Sequence, residues 1–231
     1  EMQRSLVGSE MCIRDRFTVE HWTFIHYHTK FGGKHMKISP TLTEVKEIAK
    51  TGKYDILPVS CEILSDFITP IEAMRILQNV STHCYLLESA QANEAWGRYT
   101  FLGYDPKLEI NCIDGHMKLG KLSVETENPS EYIRQILSEY KSPKFDYLPS
   151  FTGGLVGYFS YDYLGYKEKS IRGKARDTED FKDVDLMLFD KVIAFDNLCQ
   201  KIILIANMSL DAPETCLLYT SPSPRDYAAS R

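Results

Sequence analysis

No stretch of this 231-residue sequence approaches the ~20 consecutive apolar residues that an α-helix needs to cross a bilayer. The longest apolar run, residues 202–206, has the length of a buried strand, so a helical membrane span is excluded. Also missing is a stripe of Lys and Arg interleaved with aromatics. The formal net charge is −5, which removes the attraction that drives nucleic-acid binding. Cysteine is sparse and shows neither a CxxC pair nor a secretion signal ahead of it. Cys61, Cys84, Cys112 and Cys199 are therefore expected as reduced, mostly buried thiols of a cytoplasmic protein. Histidine is scarce too. His83 and His116 have no motif partner, so no nucleophile constellation stands out and no catalytic residue is assigned. His21, His26 and His28 lack the acidic or Cys partner that would complete a ligand set, so no metal site is expected.

What is present is a 43% hydrophobic composition, enough for the core of one large domain or two small ones. The two ends stand apart from it. LVGSEMCIRDR (residues 6–16) can be encoded by a DNA whose reverse complement, in another frame, encodes CLLYTSPSPRD (residues 216–226). Unrelated protein ends have no reason to be complementary DNA, whereas an inverted sequencing adapter produces this. Residues 1–16 and 216–231 are thus expected to be adapter-derived. Residues 17–35 are aromatic and His-rich without a helix or strand period, and are read as upstream sequence. The domain is expected over residues 36–215, from Met36.

Within it, three helix starts share one grammar, a capping residue followed by Pro at the first helical position: Ser39-Pro40, Thr69-Pro70 and Asn128-Pro129. Glu72 and Glu131 fall where a capping box needs them. Gly52 is the expected C-terminal cap of the first helix. The third helix should present Tyr132, Ile133, Ile136, Leu137 and Tyr140 to a sheet. Residues 84–88, 98–104 and 107–113 read as strands, the last with Leu108, Ile110 and Cys112 on one face. Asp114-Gly115 turns a hairpin into residues 116–119. A second hairpin runs from 185 to 195, turns at Asp196-Asn197 and returns over 201–206. Strand runs with interspersed helices and no βαβ alternation predict an α+β domain, an antiparallel β-sheet sandwich with flanking helices. The charged segment 167–182 reads as a solvated surface loop.

Gly153, Gly154 and Gly157 sit in a strand-like run with no following Lys-Ser/Thr. Close approach of two backbones explains them better than a phosphate loop. More telling is Leu86-Leu87-Glu88-Ser89, with Gly97-Arg98-Tyr99 following. A carboxylate and a hydroxyl at the end of a buried strand can receive an ammonium group through charge-assisted hydrogen bonds, or can simply satisfy backbone donors there.

Five ordered blocks, PVSCEILSDFITPIEAMRIL, CYLLESA, WGRYTFLGYDP, FTGGLVGYFSYD and VDLMLFDKVIAFD, resemble in order and spacing the N-terminal half of anthranilate synthase component I, a chorismate-utilising enzyme. The resemblance covers roughly residues 36–208. It implies the N-terminal portion of that family's fold, and that Glu88 and Ser89 line an L-tryptophan inhibitor pocket. Arg98 is carried over more loosely, as a basic residue of the same pocket. It also implies an enzyme that turns chorismate and ammonia into anthranilate and pyruvate with Mg²⁺. The ammonia would come from glutamine on a partner amidotransferase subunit. The chorismate and Mg²⁺ motifs of the family lie in its other half and have no match in this chain, so the chain alone is expected to be inactive. Two other readings stand beside this one: the same half of aminodeoxychorismate synthase component I, and a non-catalytic amino-acid-binding module. Glu88, where that relative more often carries Asp, favours the anthranilate enzyme.

Overall fold

The computed structural model describes residues 38–89, 97–168, 170 and 181–210. Residues 1–16, 17–35 and 216–231, expected to be adapter-derived or upstream sequence, and most of the charged segment 167–182 lie outside the described residues. In chain order the elements are β1 (Ile38–Ser39), α1 (Leu42–Lys50), β2 (Ile56–Leu64), α2 (Pro70–Leu77), β3 (Cys84–Leu87), β4 (Tyr99–Tyr104), β5 (Leu108–Ile113), β6 (His116–Leu119), β7 (Leu122–Glu125), α3 (Pro129–Ser138), β8 (Gly154–Phe159), a 3₁₀ helix (Tyr161–Tyr166), β9 (Val184–Phe189), β10 (Lys191–Asp196) and β11 (Lys201–Ser209).

The expected α+β antiparallel architecture is what forms. A six-stranded sheet has the order β1-β2-β11-β10-β4-β3, and a five-stranded sheet the order β7-β6-β5-β9-β8. Every neighbouring pair is antiparallel. One face of the first sheet is covered by two helices. Val45 of α1 packs with Leu57, Val59 and Met208, and Ala73 and Leu77 of α2 pack with Leu102, Tyr104, Phe195 and Ile202. On the opposite face Val192, Ala194, Ile203 and Ile205 pack with Leu148, and Phe101 and Phe151 join them. The second sheet buries Ile110, Cys112, Met117, Val184, Leu186 and Leu188 against Ile133 and Ile136 of α3. The predicted stripe on α3 thus holds except for Leu137, which is 46% exposed.

The capping residues sort less simply. The first helix begins after Thr41, not Ser39. Thr41 and Glu44 form a reciprocal capping box, the Thr41 side chain taking the Glu44 N–H and the Glu44 side chain the Thr41 N–H, so two end donors are satisfied two residues later than the predicted cap. Gly52 follows the helix end with φ 60°, as a left-handed cap requires. Thr69 caps α2 by accepting the Glu72 N–H at 3.3 Å, but the Glu72 carboxylate turns to Arg75 at 3.3 Å instead of closing the box. Asn128 makes no cap hydrogen bond, because its side chain is held by Glu131 and Ser130 at 2.6 Å each.

The predicted long strand 185–195 is two strands in two sheets. At Asp190 the backbone carbonyl accepts the Asn207 N–H at 2.8 Å and its side-chain Nδ2 at 3.1 Å, and the chain turns from one sheet to the other. The β4–β5 link crosses the same corner, where Lys107 N donates to Leu188 O at 2.7 Å and the buried Lys191 ammonium pairs with Asp105. Gly157 has φ 152°, and a Cβ there would run into the Asp185 carbonyl. The close-approach reading of these glycines therefore holds for β8 on β9.

Candidate functional site

Among the described residues β3 is the edge strand of the first sheet and pairs only with β4. Its last pair is Leu87 with Phe101, so Glu88 and Ser89 follow directly past the strand end, at the end of the sheet where β4 begins with Tyr99. The expected buried strand end is not found. Leu87 is 46% exposed, and Glu88 and Ser89 are exposed as well, because an edge strand has only one neighbour to cover it. Leu86 still packs inward with Leu102. Tyr99 and Phe101, with ring centroids 5.8 Å apart, line the opposite side of β4.

Arg98 enters β4 at this same end of the sheet. Its guanidinium is bound in a fork to Asp196, with Nε 3.1 and 3.2 Å from the two carboxylate oxygens and Nη2 2.6 Å from one of them. Asp196 closes the β10–β11 turn by also accepting the backbone N–H groups of Leu198 (3.1 Å) and Cys199 (3.0 Å). Burial would raise the Asp196 carboxyl, but the hydrogen bonds from Arg98 and Cys199 outweigh it and hold the group below the usual carboxylate range. The same bond to Asp196 holds the Arg98 guanidinium still more firmly protonated. Asn197 adds two ties, its N–H to the Arg98 carbonyl at 2.9 Å and its side chain to the Thr100 hydroxyl at 3.2 Å. The structure therefore brings Glu88, Ser89 and Arg98 to one sheet end, with Arg98 engaged by Asp196. Sequence reading missed Asp196, which showed only as a turn residue. An acidic residue closing a tight turn was the available signal.

Elsewhere the chemistry is thin. His83 pairs with Glu109 at 3.3 Å and His116 with Glu125 at 3.5 Å, all four substantially exposed. An open groove of about 480 Å³ is lined by Pro106, Lys107, Leu108, Glu109, Asn111, Lys118 and Gly120, and includes none of the three candidate residues. Among the described residues no three His, Cys, Asp or Glu converge as metal ligands. Cys112 is buried and Cys61 and Cys84 are partly buried, as expected, whereas Cys199 is exposed in the turn beside Arg98, contrary to expectation.

No protein-family model matches the chain. Its sequence is 34% identical over 176 residues to anthranilate synthase component 1 of Acetivibrio thermocellus, covering 74% of this chain and 35% of that protein. This stretch of chain is homologous to anthranilate synthase component 1. Wherever it begins, a matched stretch of that length includes Glu88, Ser89 and Arg98. Component 1 of Pseudomonas aeruginosa is 37% identical over 155 residues, covering 64% of the chain and 31% of the relative. The chloroplastic anthranilate synthase alpha subunit 2 of Oryza sativa is 34% identical over 183 residues, covering 71% and 30%. The chain thus spans about a third of the length of the component 1 relatives it matches. Among solved structures, anthranilate synthase component I of Streptococcus pneumoniae is similar at 24% identity and a TM-score of 0.44, over 71% of this chain and 38% of that one. No helix among the described residues is long and apolar enough to cross a membrane.

Proposed function

We propose that this chain is the regulatory N-terminal part of an anthranilate synthase large subunit and contributes Glu88 and Ser89 to an L-tryptophan feedback site. The observation that carries the reading is the homology to component 1, 34% identity over a stretch that includes both residues. In the complete enzyme, chorismate and ammonia are converted to anthranilate and pyruvate in tryptophan biosynthesis. A partner amidotransferase subunit draws the ammonia from glutamine. Mg²⁺ and chorismate bind outside this chain, which alone is inactive, and the enzyme works in the cytoplasm.

The chemistry of the strand end suits an amino-acid effector. A free amino acid brings an ammonium group, for which an accessible carboxylate and hydroxyl are natural acceptors. Leu87, Phe101 and Tyr99 offer apolar surface next to them. Tryptophan inhibits by binding one conformation of the enzyme better than another, since only differential affinity shifts an equilibrium. Once the ligand takes Glu88 out of water, the charged hydrogen bond contributes about 1.5–3 kcal/mol, so Glu88→Gln weakens inhibition by roughly ten- to a hundredfold. Ser89→Phe fills the ligand's space instead. Titration of L-tryptophan against anthranilate formation by the full-length enzyme tests this. A half-inhibitory concentration unchanged in both variants refutes the assignment.

A further inference from the structure

We infer that Asp196 is a positioning residue for the Glu88–Ser89 strand end, acting through Arg98, which serves as a strut and not as a group that binds the effector. This rests on the effector reading above. Four observations carry it. Among the described residues β3 has β4 as its one strand neighbour, with Leu87 on Phe101 as the last pair, so the strand from which Glu88 and Ser89 continue is set by the start of β4. Those residues are fastened from the other side by the β10–β11 turn: Tyr99 pairs directly with Asp196, and the Arg98 carbonyl and the Thr100 hydroxyl both receive Asn197. Asp196 has a side chain only 4% exposed, against 36% for Arg98, and it spans the turn and the strand with a fork to Arg98 and two backbone N–H groups of its own loop. The guanidinium also lies over the Tyr99 ring, 4.9 Å from its centroid, which fixes its plane. With Nε and Nη2 engaged, Arg98 is oriented across the sheet toward β10. A planar fork of this kind is not reproduced by Lys, so the strut depends on Arg as well as on charge.

Hydrogen exchange on this chain tests the inference first. In Asp196→Asn and in Arg98→Lys, the amides of residues 84–89 and 97–101 exchange faster by roughly threefold or more, while those of β5, β6 and β9 keep their wild-type rates. Glu62→Gln, which breaks the exposed Lys201–Glu62 pair (2.8 Å) one strand away from β10, leaves residues 84–89 unchanged. Unchanged exchange at 84–89 in Asp196→Asn overturns the inference, as does uniform acceleration in both sheets, which marks Asp196 as a residue of global stability only. L-tryptophan is then titrated against the full-length enzyme. A raised half-inhibitory concentration in Asp196→Asn, partly restored in Asp196→Glu, supports positioning of the effector site. If exchange responds locally but wild-type enzyme is indifferent to tryptophan, the strut stands and the effector reading falls.

Discussion

Replacing Tyr85 by Phe should stabilise the protein, against the usual direction of a core substitution. Tyr85 lies on β3 opposite Gly103, and a Cβ at Gly103 would run into its ring, so the ring rests flat across the glycine. It meets Phe189 edge-on at 4.7 Å and 76°, and Phe151 at 6.4 Å and 71°. Its hydroxyl is buried and has no hydrogen-bond partner among the described residues, and burial pushes the phenol well above its usual pKa. An unsatisfied buried hydroxyl costs about 1–3 kcal/mol. Phe keeps the ring contacts and drops the oxygen, so Tyr85→Phe should gain ~1 kcal/mol, a rise of roughly 2–4 °C in Tm for a chain of this size. Gly103→Ala should lose about 1–3 kcal/mol through overpacking against the same ring. Urea unfolding at equilibrium, read as a change in midpoint at constant slope, measures both. A loss of more than ~1 kcal/mol in Tyr85→Phe would mean that the hydroxyl is paired and would refute the reasoning.

Gly157→Ala should destabilise by at least ~1–3 kcal/mol in the same assay, since the added methyl meets the Asp185 carbonyl and φ is 152°. Leu102→Ala, at a side chain with no exposure, should cost about 2–5 kcal/mol. Substoichiometric iodoacetamide followed by peptide mass spectrometry should label Cys199 before Cys61, Cys84 or Cys112. Cys199 is exposed, whereas burial raises the Cys61 thiol to about 11 and pushes the other two up as well. The depressed Asp196 carboxyl contributes stability that is present above the ordinary Asp pKa and lost as pH falls through its folded value. Asp196→Asn should therefore flatten the acid limb of a stability-versus-pH curve, and an unaltered limb would show that the Arg98 pair contributes nothing.

Local signals in the sequence carried much of the fold. The alternation of Leu108, Ile110 and Cys112, the Asp114-Gly115 turn and, Leu137 apart, the apolar stripe of α3 appear where the pattern sets them. What failed were features decided by distant partners. Residues 185–195 are apolar enough to read as one strand, but the partners differ on either side of Asp190, β5 and β8 for β9 and β4 and β11 for β10. β2 is not among the predicted strands; Pro58 lies within it, on a stretch paired with β11 but beyond the two residues, Ser60 and Cys61, that pair with β1. At the candidate site, sequence pointed to Glu88 and Ser89 but could not reveal their exposure, because edge position follows from strand order. Nor could it reveal that Arg98 is bound to Asp196, a contact spanning ninety-eight residues of chain.

If Glu88 reads the ammonium group of tryptophan, a pair of ligands isolates that contact. Isothermal titration of the full-length enzyme with L-tryptophan and with indole-3-propionate, which lacks the ammonium, should be run on wild type and Glu88→Gln. The substitution should weaken L-tryptophan by roughly tenfold or more and leave indole-3-propionate unchanged. Equal losses for both ligands, or no loss for either, would contradict it.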